Sequence, residues 1–396
     1  MRGKHISLGL FLVGYLTMVS PVAWGTEPAI RVGLSNAATV LSIQSADPFS
    51  FRLPSGKTYR TSGQVTVRWQ GGGLLLNERA VAASHIWIEG SRATYQVQVG
   101  TKTGQDHFSN SSPEWIVRGP LEIQSTSSGL TLINRIALED YVAGVVSGEV
   151  GAQWPIEALK AQAVAARTYV LYKKVENQSQ SVDVVAGVQD QVYLGHSVRA
   201  DSVLQAVAAT KGQVVTYDDR PIFAAYSSTA AGPTEDALYV WALDLPYLKG
   251  VECPFDEQSP RYDWRTSFTF DYLEQQLRKG GYDVGKIATF TPYTFTPSGR
   301  VDRIRLLHSR GEIILRGQDL RRVVGYSKIF STNFSIASLG PDVVVVGRGA
   351  GHAVGMCQWG MREMADLGYD YQSIIRHYYP GTTLLPIERV ILAAAE

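Results

Sequence analysis

The residue best placed for acid–base chemistry is a single carboxylate, Glu149. It follows Leu138, Val142 and Val145 at spacings of four, three and four residues, so all four share one face of a helix predicted over 138–148. Burial on that face raises a carboxyl pKa, and the partially negative helix C-terminus acts in the same direction. A carboxyl that stays protonated near neutral pH can protonate the leaving oxygen of a glycosidic bond.

Structural roles for Glu149 remain open on the sequence alone. Its carboxylate could cap the next helix, which is predicted to begin with Pro155 at its first position. It could also pair with Arg167, which lies on that helix. Perturbed carboxylates occur in structural networks as well as in active sites, so the helical pattern does not choose between them.

A second cluster of polar groups lies in the glycine-rich segment 347–360. Counted from Gly347, the third glycine of G-x-G-x-x-G is replaced by His352, and no G-K-[ST] follows, which excludes a dinucleotide fingerprint and a P-loop. Alternating glycines let the backbone approach a ligand closely. A hydrogen-bonded structural histidine is the simpler interpretation, but His352, Gln358 and Trp359 together favour a loop that lines a substrate.

Other catalytic chemistry has little support. No histidine pair has H-x-x-x-H spacing, and Cys253 and Cys357 are far apart and outside any C-x-x-C motif, so we expect neither a metal site nor a disulfide framework. An exported protein could still pair these two cysteines with each other. The hydroxyls of 226–229 lack the G-x-S-x-G context of a serine hydrolase. His377 precedes a Pro-Gly turn and is interpreted as structural.

Composition narrows the class of partner. The chain of 396 residues has 37 Lys and Arg against 36 Asp and Glu, which gives no electrostatic case for nucleic acid. A neutral or sugar-like partner fits better, and some of the 8 Trp and 20 Tyr could stack on sugars. The 45% apolar and 18% charged content is ordinary for a globular protein.

The N-terminus has the pattern of a secretory signal. Arg2 and Lys4 precede an apolar run over 6–19, and Ala23-Trp24-Gly25 offers small residues at the cleavage positions, so the mature chain is predicted to start near Thr26. We therefore expect export to the periplasm or cell wall, or membrane anchoring if the signal is not cleaved. No later stretch is long and apolar enough to span a membrane.

The pattern of strands and helices predicted from the sequence is typical of an α+β protein. Residues 1–25 form the signal, 26–130 a β-rich N-terminal region with alternating strands such as 95–99, and 131–396 a mixed α/β catalytic domain. After the helix that ends near Glu149, a second helix carries the stripe Leu159, Ala163, Ala166 and Val170. Further helices are predicted at 203–210, 271–279 and 358–367, and further strands at 213–217, 289–296, 304–308, 312–315 and 343–346.

Several of these segments resemble the SpoIID/LytB family. The matching segments are 138–149 (LEDYVAGVVSGE), 154–169 (WPIEALKAQAVAARTY), 190–195 (DQVYLG), 349–360 (GAGHAVGMCQWG) and 378–381 (YYPG). The resemblance covers about 115–385, and the helical motif is the most specific part of it.

The resemblance implies an exported protein that acts on peptidoglycan. Sporulation members are lytic transglycosylases of peptide-free glycan strands, whereas others are amidase enhancers with a binding or regulatory role. Glu149 matches the catalytic glutamate: it would protonate the glycosidic oxygen and then take the proton of the C6 hydroxyl as that closes onto C1, which leaves a 1,6-anhydro-muramic end. No cofactor is implied, and a cell-wall amidase is the partner in the enhancer interpretation.

The sequence departs from the family pattern at three places. Tyr226-Ser227-Ser228-Thr229-Ala230-Ala231-Gly232 stands where the family usually reads Tyr-His-Ser-Thr-Ser-Gly-Gly. Ala353 replaces the second glycine of Gly-His-Gly, and Cys357 replaces the serine before Gln-Trp-Gly. Some members bind zinc beside the Gln-Val-Tyr motif; here only Asp190 and His196 are near, so zinc is not carried over.

The predicted site is a cleft with Glu149 as the acid/base. The predicted substrate-binding residues, which would contact sugar hydroxyls, N-acetyl groups or developing charge, are Arg167, Tyr193, Ser228, Thr229, His352 and Gln358. The main rival is a non-catalytic wall-binding module that stimulates an amidase, and a third possibility is a glycan hydrolase.

Overall fold

The structure is a computed structural model that describes residues 27–71, 73–90, 93–100, 114–196, 200–340, 342–390 and 392. The predicted signal, 1–25, lies outside the described residues. Among those described, no helix has both the length and the apolar character needed to cross a bilayer.

Strands and helices alternate in blocks along the described chain, as an α+β fold requires. The strands are β1 (Ala29–Ala38), β2 (Val40–Arg52), β3 (Thr58–Gln70), β4 (Gly73–Leu76), β5 (Arg79–Val81), β6 (His85–Glu89), β7 (Thr94–Gly100), β8 (Glu114–Arg118), β9 (Leu121–Thr126), β10 (Gly129–Ala137), β11 (Val184–Val185), β12 (Gln213–Tyr217), β13 (Arg220–Pro221), β14 (Tyr226–Ser227), β15 (Asp263–Thr269), β16 (Ile287–Phe295), β17 (Val301–His308), β18 (Gly311–Arg316), β19 (Phe334–Leu339), β20 (Asp342–Arg348), β21 (Met356–Cys357) and β22 (Thr383–Pro386). The helices are α1 (Leu138–Glu149), α2 (Ile156–Glu176), α3 (Asp201–Ala209), α4 (Ala237–Trp241), α5 (Phe270–Lys279), α6 (Gly317–Val324), α7 (Gln358–Asp366) and α8 (Tyr371–Tyr378).

The N-terminal strands form one large, mostly antiparallel sheet, in which β11 alone pairs in parallel with β1. Alternation along β7 buries Tyr95, Val97 and Val99, as the period-two pattern predicts. The sheet does not end at the predicted boundary of 130, because β10 continues to Ala137 and leads directly into α1. The sheet and the first helices share one hydrophobic core.

The helix α2 is the centre of that core. Its predicted stripe, Leu159, Ala163, Ala166 and Val170, is fully buried. Most of the rest of 158–171 is buried too, because α1, α3, α7, α8 and β12 surround it, and its many alanines allow close approach. Pro155 occupies the N-cap, one position before the predicted one, so the helix begins at Ile156.

Residues from Trp264 to Val345 form a second, smaller core. Two three-stranded sheets, β15-β20-β19 and β16-β17-β18, pack there with α5 and α6. The predicted helices at 271–279 and 358–367 and the predicted strands at 289–296, 304–308, 312–315 and 343–346 are confirmed to within a few residues. This second core lies inside the span predicted as one catalytic domain, between the chain segments that build the candidate site.

Candidate functional site

Glu149 is the last residue of α1, and its half-buried carboxyl group accepts three hydrogen bonds. The backbone N–H of Val192 donates to Oε1 at 2.7 Å, and the hydroxyl of Tyr226 donates to the same oxygen at 3.3 Å. Nε2 of Gln358 donates to Oε2 at 3.3 Å. The carboxyl thus joins three chain segments that are remote in sequence. The two structural roles left open above, capping the next helix and pairing with Arg167, are not the ones observed.

Burial raises the pKa of the Glu149 carboxyl above its ordinary value. The three hydrogen bonds act in the opposite direction but do not cancel the effect of burial. All three donors are neutral groups, so no hydrogen-bonded cation holds the carboxyl in its charged form. A carboxyl in this setting keeps its proton to a higher pH than an exposed one does, and it can donate that proton to a ligand.

Two glycines on α1 let the segment that binds Glu149 come close. A Cβ at Gly144 would lie 2.6 Å from the ring of Tyr193, and a Cβ at Gly148 would lie 2.6 Å from the carbonyl oxygen of Val192. Contacts this short exclude any larger side chain unless the backbone moves. Gly148 therefore allows the Val192 N–H to reach Glu149.

The side-chain donors come from two short strands that pair in parallel. β14 places Tyr226 opposite Met356 of β21, and α7 begins with Gln358 directly after that strand. Gln358 is buried, and its Nε2 also lies 3.4 Å from Oε1 of Gln162 on α2. The glycine-rich segment is thus joined to Glu149 through Gln358.

Two neutral side chains form a hydrogen-bonded chain that ends at the Tyr226 hydroxyl. Tyr141 donates to Oε1 of Gln191 at 2.9 Å, and Nε2 of Gln191 donates to the Tyr226 hydroxyl at 2.9 Å. The Tyr226 hydroxyl then has its own proton free to donate to Glu149. Burial raises the pKa of Tyr226 well above its ordinary value, so the hydroxyl remains a donor throughout the physiological range.

His352 lies beside this network but is neutral. Burial and the charge of Arg321 lower the pKa of His352 to about 3. Its Nδ1 accepts the backbone N–H of Val354 at 3.0 Å, its ring also hydrogen-bonds to the Tyr226 backbone, and it packs edge-on against Trp241 with centroids 4.8 Å apart. The contacts of His352 therefore hold the loop.

Ser228 and Thr229 follow Tyr226 and line the same loop. The carbonyl of Ser228 accepts the N–H of Trp359 at 3.1 Å, which ties it to the start of α7. Thr229 is buried, with Oγ1 2.6 Å from Oγ of Ser259 and its backbone bridged to Ala350. Ser228 is half-buried, so of the two its side chain is the more accessible to a ligand.

Arg167 is not brought into this cluster. Its side chain is fully buried and makes a two-pronged ion pair with Glu139, at 2.9 and 2.5 Å, and also donates to the Gln213 carbonyl. Glu139 lies ten residues before Glu149 on α1, which at 1.5 Å per residue is about 15 Å away. The contacts of Arg167 therefore connect α1, α2 and β12 rather than reach the Glu149 carboxyl.

Tyr193 is a core residue as well. It is 2% exposed, its hydroxyl lies 3.2 Å from Oδ1 of Asn134, and its ring stacks on Tyr141 with centroids 5.2 Å apart. It packs against α1 through Gly144. These contacts fix the position of the neighbouring Val192, whose N–H binds Glu149.

Sequence reasoning missed Tyr226, Gln162, Gln191 and the Val192 backbone as parts of the site. Gln191 and Tyr226 both lie in segments that the resemblance singles out, so the signal was present. Their contacts could not be predicted from sequence, because Gln191 and Tyr226 are 35 residues apart and Tyr226 and Glu149 are 77 residues apart.

Two residues that depart from the family pattern have left-handed backbone conformations in this loop. Ala231 and Ala353 stand at positions where the family usually has glycine, and both adopt positive φ, 53° and 64°. Oγ of Ser227 accepts the N–H of Ala353 at 3.1 Å. Sγ of Cys357 accepts the N–H of Gly360 at 3.4 Å and so caps α7.

Two tryptophans adjoin the site at the start of α7. Trp154 and Trp359 are half-buried, and their rings meet edge-on with centroids 5.4 Å apart. The guanidinium of Arg362 lies 4.9 Å from the centroid of Trp359. Since Trp359 follows Gln358 directly, this aromatic surface is suited to stack on a sugar ring next to Glu149.

Comparison with known proteins identifies the class. The sequence model of the Stage II sporulation protein (SpoIID) family matches residues 126–217, which contain α1, α2 and Glu149. A domain of unknown function matches 248–355, which contains the second core. The chain belongs to the SpoIID family, and its role is related to the cell wall.

Individual relatives agree with this assignment. The chain is 33% identical over 289 residues to Stage II sporulation protein D of Bacillus subtilis (strain 168), covering 68% of this chain and 81% of the relative. It is 32% identical over 381 residues to an uncharacterized protein of Brachyspira hyodysenteriae, covering 94% and 97%. The amidase enhancer of Bacillus subtilis is 28% identical over 289 residues, which is 61% of this chain and 40% of that protein.

Proposed function

We propose that this protein is a peptidoglycan lytic transglycosylase with Glu149 as its acid/base. The observation that carries the proposal is a half-buried carboxyl group whose pKa is raised by burial and which three neutral donors hold in place. This group lies at the position that matches the catalytic glutamate of the SpoIID/LytB family. The substrate class is the MurNAc–GlcNAc bond of peptide-free glycan strands.

The reaction needs only one carboxyl group. Protonated Glu149 donates its proton to the glycosidic oxygen as the C1–O bond breaks, and becomes a carboxylate. The carboxylate then accepts the proton of the C6 hydroxyl of the same sugar while the C6 oxygen bonds to C1. The group returns to its starting state without consuming water, unlike the two-carboxylate arrangement of most glycoside hydrolases.

The substrate and its place outside the cytoplasm follow from the same proposal. Glycan strands lie outside the cytoplasmic membrane, and the N-terminal sequence has the pattern of a secretory signal, which implies export to the periplasm or cell wall. A nearly balanced charge and the tryptophan pair beside Gln358 suit an uncharged sugar chain. No cofactor takes part in the proposed reaction.

The second candidate is a wall-binding module that stimulates an amidase. The amidase enhancer of Bacillus subtilis, a family relative, favours it. Such a module needs the surface of the cleft but not the carboxyl group. Wild-type protein that binds glycan strands and raises the activity of a purified cell-wall amidase, with no cleavage of its own, would support this candidate instead.

The product of the reaction separates these functions. Peptide-free glycan strands are incubated with the mature protein and the new ends are identified by mass spectrometry. We expect 1,6-anhydro-muramic ends, each lighter by one water than the reducing end that a hydrolase makes. Reducing ends would replace the transglycosylase with a hydrolase, and intact strands bound to the protein would favour the amidase enhancer.

The pH dependence of cleavage tests the role of Tyr226. Its hydrogen bond lowers the pKa of Glu149, so Tyr226→Phe raises that pKa further. Because Glu149 must be protonated to act first as an acid, the fall of kcat/KM at alkaline pH is expected to move to higher pH. Tyr379→Phe is the matched control, since Tyr379 is buried and its hydroxyl binds the carbonyl of Ala225 rather than Glu149. An unchanged pH profile in Tyr226→Phe would show that this hydrogen bond does not set the pKa of Glu149.

A further inference from the structure

Two cysteines that are remote in sequence meet behind the candidate site. Cys253 and Cys357 are 2% and 1% exposed, and Asp256 between them in space is 1% exposed. One ligand atom from each of the three residues lies within 4.8 Å of the other two. The C-x-x-C rule used on the sequence does not find such a site, because the fold rather than the spacing assembles it.

The separations suit a tetrahedral ion. Zinc lies about 2.3 Å from a thiolate sulfur and about 2.0–2.2 Å from a carboxylate oxygen, so its tetrahedral ligand atoms are about 3.5–3.8 Å apart. Sγ of Cys357 and Oδ2 of Asp256 are 3.2 Å apart. This contact places the Cys357 thiol beside the carboxylate that would share the ion, and the oxygen of that carboxylate left free to bind it is Oδ1.

One oxygen of the Asp256 carboxylate is held by hydrogen bonds, and the other is free to bind a ligand. Its Oδ2 accepts the N–H groups of Ala230 and Ala231, both at 2.8 Å, which fixes the carboxylate. Its Oδ1 is buried and has no hydrogen-bond partner among the described residues. A buried, unpartnered carboxylate oxygen is rare in folded proteins and calls for a ligand.

Binding would not disturb the charge of this pocket. A divalent cation displaces the two thiol protons, so the net charge is the same before and after binding. Buried Arg300, which donates to the Ala230 carbonyl at 2.6 Å, lies near both sulfurs and Asp256.

We propose that Cys253, Asp256 and Cys357 bind one Zn²⁺ ion as a structural clamp. Two thiolates select zinc over the hard cations magnesium and calcium. The hydroxyl of Tyr378, 3.3 Å from Sγ of Cys253, serves as a supporting hydrogen-bond donor to that ligand. The clamp ties the segment that leads into the second core to the residue before Gln358, and the inference does not depend on the proposed activity.

Metal analysis of the full chain, purified without an affinity tag and in the presence of zinc, tests this site. We expect about one zinc per chain after dialysis, thiols that react slowly until a chelator is added, and a lower Tm after chelation. With Co²⁺ in place of zinc, a thiolate-to-cobalt charge-transfer band is expected in the near ultraviolet.

Variants assign the ligands. Cys253→Ser and Asp256→Asn are expected to lose the zinc, whereas Asp263→Asn, which changes an exposed carboxylate, is expected to retain it. Circular dichroism checks whether each variant folds. If a variant does not fold, the thiolate-to-cobalt band of the wild-type protein still shows whether the cysteines bind the metal. Folded wild type with two free thiols and no zinc would overturn the proposal. So would a protein that lacks zinc and is lighter by two hydrogens, which would show a disulfide.

Discussion

Glu149→Gln is expected to reduce the release of anhydro ends by about 10²–10⁴-fold, the range for loss of a general acid–base group. The amide is similar in size and its oxygen can still accept from Val192 and Tyr226, so the variant keeps the shape of the site while losing the proton. Because one group serves both steps of the proposed reaction, the effect should lie towards the upper end of that range. Initial rates on peptide-free strands measure it.

The pH dependence of unfolding shows whether Glu149→Gln loses activity through the missing proton or through a damaged fold. The pKa of Glu149 is raised in the folded protein, so the folded state binds more protons than the unfolded state in the interval between the ordinary value of 4.5 and the raised one. Wild type therefore loses stability as pH rises through that interval, and Glu149→Gln does not. The variant is expected to match wild type below the interval and to be more stable above it.

A matched control is available on the surface. Glu312→Gln removes a carboxylate whose ion pair with Arg305 is exposed, and it should leave the rate unchanged. If Glu149→Gln cleaved strands at the wild-type rate, another group would have to be the acid. If it lost both stability and activity at neutral pH, Glu149 would be a structural residue.

The sequence predicts the elements that carry Glu149 and Gln358 well. The stripe of Leu138, Val142 and Val145 requires an amphipathic helix, and α2 is rich in alanine and has no interior breaker. Helical periodicity is a local property, so one sequence is sufficient to detect it. The same stripe places Glu149 against the interior, where burial perturbs its pKa.

The partners of these groups could not be predicted from periodicity. Gln358 reaches Glu149 across 209 residues, and Cys357 reaches Asp256 across 101. Such contacts depend on how β14 pairs with β21 and on the glycines that let Val192 approach α1, neither of which is a local property. Arg167 shows the same limit, since its place on a helix does not reveal which carboxylate it faces.

Replacing Arg167 by methionine is expected to destabilise the protein by about 3–5 kcal/mol, the cost of removing one partner of a buried ion pair. The side chain of Arg167 is 0% exposed and that of Glu139 is 15% exposed, so Glu139 would lose its counterion in a poorly hydrated setting. The Gln213 carbonyl would lose a donor too. Denaturant unfolding measures the loss.

Two further variants separate a structural role of Arg167 from the substrate-binding role predicted from sequence. Arg305→Met breaks an exposed ion pair with Glu312 and should cost only about 0–1 kcal/mol. Arg167→Met combined with Glu139→Met leaves no unpaired charge and should recover much of the stability. Folded Arg167→Met should cleave glycan strands with an unchanged KM, because its partner Glu139 lies about 15 Å from Glu149 along α1. A raised KM with unaltered unfolding would instead place Arg167 on the substrate.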